Sequence, residues 1–255
     1  SVLVSNLPFN ASLLPPSSWD ENVALETLSD GIPFQSLYRM KVLTHSSTND
    51  MNEISGYLHS EIRTSSSITL TLWVYFDENF LTTSDNESST MNDAPIFSVG
   101  GSGKGKKLSL TVSNNHVLTL TVPYKTTSND VNQIKLIGNM KIQPGAWNFI
   151  IFSIDNSNDS IKAGLYLKNK RIAFQSKDNL SFDLTNIGLS PWIVGNSTAT
   201  QSKKVKSIFH GAFENIRIFK ESCSNMKTSD LCTDEFILSA LTTIPKEVES
   251  EQKIC

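Results

Sequence analysis

The sequence predicts an all-β, antiparallel two-sheet sandwich with one short C-terminal helix. Three observations carry that expectation. Residues 147–154 form an aromatic and β-branched run of strand length that opens after Pro144 and Gly145, and the turn formers Asn156, Ser157, Asn158, Asp159 and Ser160 follow it. Residues 161–168 then alternate, with Ile161, Ala163, Leu165 and Leu167 on one face and Lys162, Gly164, Tyr166 and Lys168 on the other, so this strand is expected to be half-buried with a polar outer face. Lys168, Asn169 and Lys170 make a short polar turn into residues 171–174, which completes an antiparallel meander. At 255 residues and 38% hydrophobic, the chain is long enough to bury about three quarters of its unfolded surface as one β domain, without disulfides.

The remaining elements follow in order. Residues 1–37 carry Pro8, Pro15, Pro16 and Pro33 among Ser and Asn and are expected as an irregular lead-in; their one helical possibility, residues 20–28, lacks a clean stripe because Val23, Leu25 and Leu28 do not form one. Residues 38–44 and 54–62 are expected as strands. In residues 68–76, Ile68, Leu70, Leu72, Val74 and Phe76 alternate with Thr69, Thr71, Trp73 and Tyr75, which implies a central strand covered at least in part on both sides. Residues 77–93 form an acidic, hydroxyl-rich insertion, read as a surface loop or, through Asp77, Glu78, Asp85, Glu87 and Asp93, as a calcium site without EF-hand spacing. Strands 95–99 and 107–112 flank a loop that nearly matches a phosphate-binding motif, with Gly100, four residues, then Gly105 and Lys106. Lys107 stands where a magnesium-binding hydroxyl belongs, and a strand pattern follows where a helix N-terminus is needed, so the motif argues against a nucleotide site.

Residues 117–122 and 134–142 return to the sheet. Phe182 and Leu184 are expected to tuck inward from the loop 176–190, residues 192–195 make a short strand, and residues 209–219 close the sandwich. Thr233, Asp234 and Glu235 supply a hydroxyl cap and an acidic first turn for a helix through Phe236 and Leu241, which Pro245 should end. Residues 246–255 form a charged tail or linker.

Several of these pieces together resemble a laminin G-like or pentraxin-like jelly roll of the concanavalin A-like lectin and glucanase superfamily. They are Gly145-x-Trp147 with an apolar strand ending in Asp155, the alternating strand with Leu165 and Tyr166, and the run from Phe209 through Gly211, Glu214, Arg217 and Phe219, where Glu214 stands for the family's usual Asp. With residues 68–76 the resemblance spans roughly residues 38–220. It implies a jelly roll over 38–220 with Trp147 and its neighbours wedged between the sheets, followed by a Cys-containing helical extension or linker in 221–255.

Net charge of −3 gives no global attraction to nucleic acid or to an anionic membrane, and no stretch reaches the roughly 18 uninterrupted apolar residues of a membrane span. Cys223, Cys232 and Cys255 lie at the end of the chain; without Cys-x-x-Cys or a neighbouring His, their spacing suits one local bridge better than zinc, with Cys223 to Cys232 the preferred pair and Cys255 left over. That remainder suggests a piece of a larger chain, or a partner for Cys255 elsewhere. Asn-x-Ser/Thr sequons at Asn10, Asn86, Asn158, Asn179 and Asn196 are about what this composition produces by chance, so extracellular placement rests on the cysteines and the resemblance.

The superfamily includes glycoside hydrolases, which need two carboxylates flanking one bond. The glucanase-type Glu-x-Asp-x-x-Glu run is absent. Asp155 and Glu214 are lone carboxylates expected to bond nearby loop backbone, and His45, His59, His116 and His210 are scattered. No catalysis is therefore expected. The reading is a secreted or cell-surface recognition and adhesion module that binds a protein or a glycan, in particular a sulfated one through Lys104, Lys106 and Lys107 with Lys203, Lys204 and Lys206. A hydrolase of the same superfamily and a spacer domain are the alternatives.

Overall fold

The computed structural model describes residues 5–6, 23–28, 37–42, 54–56, 58, 60–76, 93–100, 107–126, 130–157, 159–190, 192–194 and 211–241. In chain order the strands are β1 (Ser5–Asn6), β2 (Val23–Leu28), β3 (Leu37–Val42), β4 (Ile54–Gly56), β5 (Ser67–Phe76), β6 (Ala94–Gly100), β7 (Lys107–Val112), β8 (Val117–Thr126), β9 (Val131–Lys141), β10 (Trp147–Ser157), β11 (Ser160–Leu167), β12 (Lys170–Asp178), β13 (Leu180–Ser181), β14 (Trp192–Val194) and β15 (Gly211–Phe219). Short helices α1 (Ser60–Arg63), α2 (Leu184–Ile187) and α3 (Glu235–Leu241) complete them.

Every pairing is antiparallel. The first sheet runs β12-β11-β10-β5-β15-β3-β2, with β1 on β15; the second runs β13-β8-β7-β6-β14-β4, with β9 on β8. The fold is the expected two-sheet sandwich with a short helix near the C-terminus. Because side chains alternate along a strand, one set of residues from each sheet meets between them. From the first sheet these are Leu70, Leu72, Ile150, Phe152, Ile154, Ala163 and Leu165, and from the second Phe97, Leu108, Leu110, Leu118 and Leu120. Phe97 and Phe152 span the interface with ring centroids 5.9 Å apart. At the turn into β10, Gly145 takes φ 72° and donates its N–H to Phe76 O at 2.8 Å, a conformation open to glycine without strain. Asn148 locks the same turn by donating to Gln143 O and Ala146 O.

Four expectations change. Within 1–37, expected as an irregular lead-in with one helical possibility at 20–28, residues 23–28 form β2, which pairs with β3 from Val23 opposite Val42 to Leu28 opposite Leu37; a segment without a helical stripe can still fill a sheet position. Residues 54–62 divide into β4 and α1 instead of one strand. Trp147 does not lie between the sheets. With Ile150, Phe152 and Ile154 facing the other sheet, the two-residue period turns Trp147, Phe149 and Ile151 to the outer face, where Trp147 is half-buried and packs edge-on to Tyr75 at 5.8 Å.

That outer face is covered. Trp73, Phe149, Ile151, Tyr166 and Phe219 form a second core with Cys223, Met226, Cys232, Phe236, Ile237 and Ala240 of the C-terminal segment. The expectation that β11 turns a polar face to solvent therefore fails at Tyr166, which is fully buried. Phe219 and Phe236 approach to 4.6 Å, and Trp73 Nε1 donates to Ala240 O at 3.4 Å. Cys223 and Cys232 are disulfide-bonded, as expected, with Cα atoms 5.7 Å apart. A hydrogen-bond chain anchors this cap: Cys223 N donates to Ser153 Oγ at 2.8 Å, Ser153 and Thr69 hydroxyls pair at 2.8 Å, and Thr69 Oγ1 donates to Glu221 O at 2.7 Å. Arg171 holds the far side, donating to Met226 O at 2.6 Å and to Asp230 Oδ1 at 2.5 Å. Pro245 and Cys255 lie outside the described residues.

Two predictions follow from the cap. Replacing both bridged cysteines, Cys223→Ser with Cys232→Ser, releases the short loop the bridge closes and should lower unfolding stability by about 2.5 kcal/mol in urea titration. Tyr166 has a buried hydroxyl without a partner, and burial pushes its pKa up to about 12, with Arg171 opposing and Asp234 and Asp230 adding to the rise. Its raised native pKa means that the unfolded chain releases this proton first, so stability contributed by Tyr166 is intact below pH about 10 and is lost toward pH about 12, at roughly 1.4 kcal/mol per pH unit. Tyr166→Phe should match the wild type or exceed it by up to about 1 kcal/mol at pH 7, since its hydroxyl has no partner to lose, and show a shallower alkaline decline in urea midpoints.

Candidate functional site on the second sheet

With the outer face of the first sheet capped, the second sheet presents a different surface. On β7, Leu108, Leu110 and Val112 enter the core, which turns Lys107, Ser109 and Thr111 to the other side. On β8, Leu118, Leu120 and Val122 enter, which turns out Thr119 and Thr121. On β9, Ile134 and Leu136 enter, which turns out Lys135 and Ile137. Register joins these residues across the sheet. Ser98 lies opposite Ser109, Ser109 opposite Thr121, and Thr121 opposite Lys135, while Thr111, Thr119 and Ile137 form the next row. The strands set the first row at a repeat of roughly 4.8 Å. Hydroxyls donate and accept alike, so such a row is suited to polyhydroxylated ligands.

Ser98 is the unusual member. It is 1% exposed and its Oγ has no hydrogen-bond partner. A buried hydroxyl without a partner costs about 1–3 kcal/mol of desolvation that nothing in the protein returns. It sits on β6, whose residues are all buried, so both faces of that strand are sheltered.

Of the sequence-predicted lysines, Lys107 is described and lies at the edge of this surface, opposite Gly100. Lys104, Lys106, Lys203, Lys204 and Lys206 lie outside the described residues. Lys107–Val112 form strand β7 where a phosphate loop needs a helix N-terminus, which removes the phosphate-loop geometry.

Asp155 differs from its expectation. It bonds side chains rather than loop backbone, accepting from Ser67 Oγ at 3.2 Å, Ser157 Oγ at 2.9 Å and Lys162 Nζ at 3.1 Å, because its strand neighbours on both sides present polar groups there. Glu214 stands opposite Trp73 beside a bulge in β15; its side chain lies outside the described residues. His116 shapes the β7–β8 turn at φ 64°, donating to Ser113 O and accepting from Ile142 N, both at 2.9 Å; the other three histidines lie outside. The calcium expectation also falls there, except that Asp93 Oδ2 accepts from Thr111 Oγ1 at 3.3 Å. Cys223, Cys232 and Asp234 cluster within 4.8 Å, but the bridged sulfurs are not thiolates and offer no metal ligands. Among the described residues no helix is long and apolar enough to cross a membrane.

No family model matches the chain, and no curated protein matches it. Among solved structures, the CBM40 module of the Ruminococcus gnavus IT-sialidase bound to α2,3-sialyllactose is similar, at 16% identity and a TM-score of 0.47 over 64% of this chain and 81% of that one. A SAP-like pentraxin from Limulus polyphemus is similar at 12% identity and a TM-score of 0.39, over 64% and 68%. The leech intramolecular trans-sialidase is similar at 15% identity and a TM-score of 0.48, over 76% of this chain and 26% of that one. Likeness this distant assigns no function to the chain.

The hydroxyl row was missed by sequence reasoning. Its signal was present in the alternation of Ser109, Thr111, Thr119 and Thr121 with leucines, but their neighbours across the sheet depend on register. Because the Ser98 hydroxyl has nothing to lose, Ser98→Ala should leave the melting temperature unchanged or raise stability by up to about 1 kcal/mol, as measured by urea unfolding.

Proposed function

We propose that this domain is a non-catalytic extracellular recognition module that binds a glycan on the outer face of its second sheet. The carrying observation is the row of Ser109, Thr121 and Lys135, which are open to solvent on the outer face of the second sheet beside Thr119 and the 65% exposed Ile137. Ser98, at the sheltered end of that row, is closed to a ligand, so sugar hydroxyls meet Ser109 and Thr121. The strand repeat is close to the repeat of a pyranose along an extended saccharide. Lys107, at the margin of this face, suits a sulfate group of such a ligand, and Lys104, Lys106, Lys203, Lys204 and Lys206 are further candidates for that role. The disulfide Cys223–Cys232 supports an oxidising, extracellular setting. For a hydrolase, Asp155 is a poor candidate, since it is held by Lys162 and two serines.

A glycan array followed by titration of the best-bound saccharide tests this. The wild type should bind at least one saccharide, and Thr121→Val should weaken it about fivefold at unchanged melting temperature, the loss of roughly one hydrogen bond. An array without binding, or equal affinity of Thr121→Val, overturns the reading.

A further inference from the structure

Both sheets end on the same side of the sandwich, β9 at the edge of the second and β12 at the edge of the first, and both strands are bulged there. Between Val117 and Thr119 of β8, partner residues on β9 run from Lys141 to Ile137, so the stretch of Gly138, Asn139 and Met140 bulges. On β12, Ala173 pairs with Leu165 and Arg171 with Tyr166, which leaves Ile172 as the extra residue. The two bulges face each other. Ile172 Cδ1 lies 2.7 Å from where a Cβ on residue 138 would be, so glycine at 138 is what lets the edges approach. Bulges of this kind re-aim side chains and mark functional edges.

Beside that contact a groove of about 400 Å3 opens, lined by Asn139, Met140, Lys170, Arg171, Phe174 and Asp230 among others. Its chemistry is defined. Met140 and the half-buried Phe174 give an apolar wall. Arg171 lies with its guanidinium carbon 5.2 Å from the Phe174 ring centroid and is fixed by Met226 O and Asp230, which leaves N–H donors over from its five. Lys170 is exposed and has no carboxylate partner among the described residues. Lys168 and Lys141 lie next along the chain, both exposed. Within the groove, Lys170 and Arg171 outnumber the one carboxylate, Asp230, which leaves a local excess of positive charge beside an apolar wall and the Asn139 amide.

We propose that this groove binds an acidic sugar residue, its sulfate or carboxylate against Lys170 and Arg171 and its ring against Met140 and Phe174. The inference rests on the glycan reading above but places the anionic group at a second site, away from the row of Ser109 and Thr121. Arg171 is pre-positioned, so it loses little side-chain freedom on binding, while Lys170 provides a mobile point charge.

The test is calorimetric titration of the intact protein with three oligosaccharides of equal length: sulfated and heparin-derived, carboxylated and uronate-rich, and neutral. Lys170→Glu together with Asn139→Asp changes exposed residues only, and an unchanged melting temperature confirms folding. The wild type should bind the sulfated or the carboxylated chain, or both, with affinity that falls as salt rises, the pair of arms naming the anion. The double variant should lose at least tenfold for the acidic ligand and nothing for the neutral one. Acidic-ligand affinity within twofold of the wild type in that variant, or preference of the wild type for the neutral chain, overturns the groove while leaving the hydroxyl row standing if Thr121→Val still weakens binding. Absence of binding to every saccharide overturns both.

Discussion

Burial of β5 and β10 on both faces is the constraint from which the rest of this structure follows. Antiparallel sheets commonly leave one face to water. Here Ile150, Phe152 and Ile154 point into the sandwich, and Phe149 and Ile151 on the same strand point out with no less apolar character. A third layer has to cover them, and residues 223–241 do so. The disulfide keeps that short segment compact. The chain of hydrogen bonds from Cys223 through Ser153 and Thr69 to Glu221 returns partners to hydroxyls that would otherwise be stranded at the buried face.

The same constraint distributes function. An apolar cap leaves the first sheet no open face over its central strands, so the proposed recognition falls to the second sheet and to the side where β9 and β12 meet. Hydroxyls carried on paired strands are held at fixed spacing by the backbone ladder, which lowers the entropy cost of engaging them. At the seam, two opposed bulges carry Met140, Asn139 and the residues around Arg171 away from regular strand positions and so create a groove that flat edges would not have. Neither surface involves the carboxylate arrangement of a glycosidase.

Much of the fold was legible in the residues. The turn at Pro144 and Gly145, the unbroken apolar run after it and the alternation of β11 specify the meander, and the strand pattern after Lys107 dismisses the phosphate-loop resemblance. What stayed hidden is non-local. Trp147 reads as a core residue from composition alone, and which side of β10 faces the other sheet is settled only by register. The cap had a signal, since an apolar helix beginning at Phe236 needs something to cover, and Trp73 with Phe149 offered it; the polar reading of β11 treated Gly164 and Tyr166 as surface. β2 was missed because an edge strand is held by its partner more than by its own sequence pattern. The site was less legible than the fold. Sequence reasoning weighted lysines, whose chemistry is obvious one residue at a time, over hydroxyls that matter only once three strands bring them into line.

Hydroxyl-radical footprinting of the oxidised protein bears most directly on the central claim, that a disulfide-clasped cap seals the outer face of the first sheet. Trp73, Phe149, Tyr166 and Phe236 should stay unmodified while Ile137 and Met140, which are 65% and 37% exposed, react readily. Modification of Phe149 and Tyr166 at rates comparable with Ile137 would contradict it.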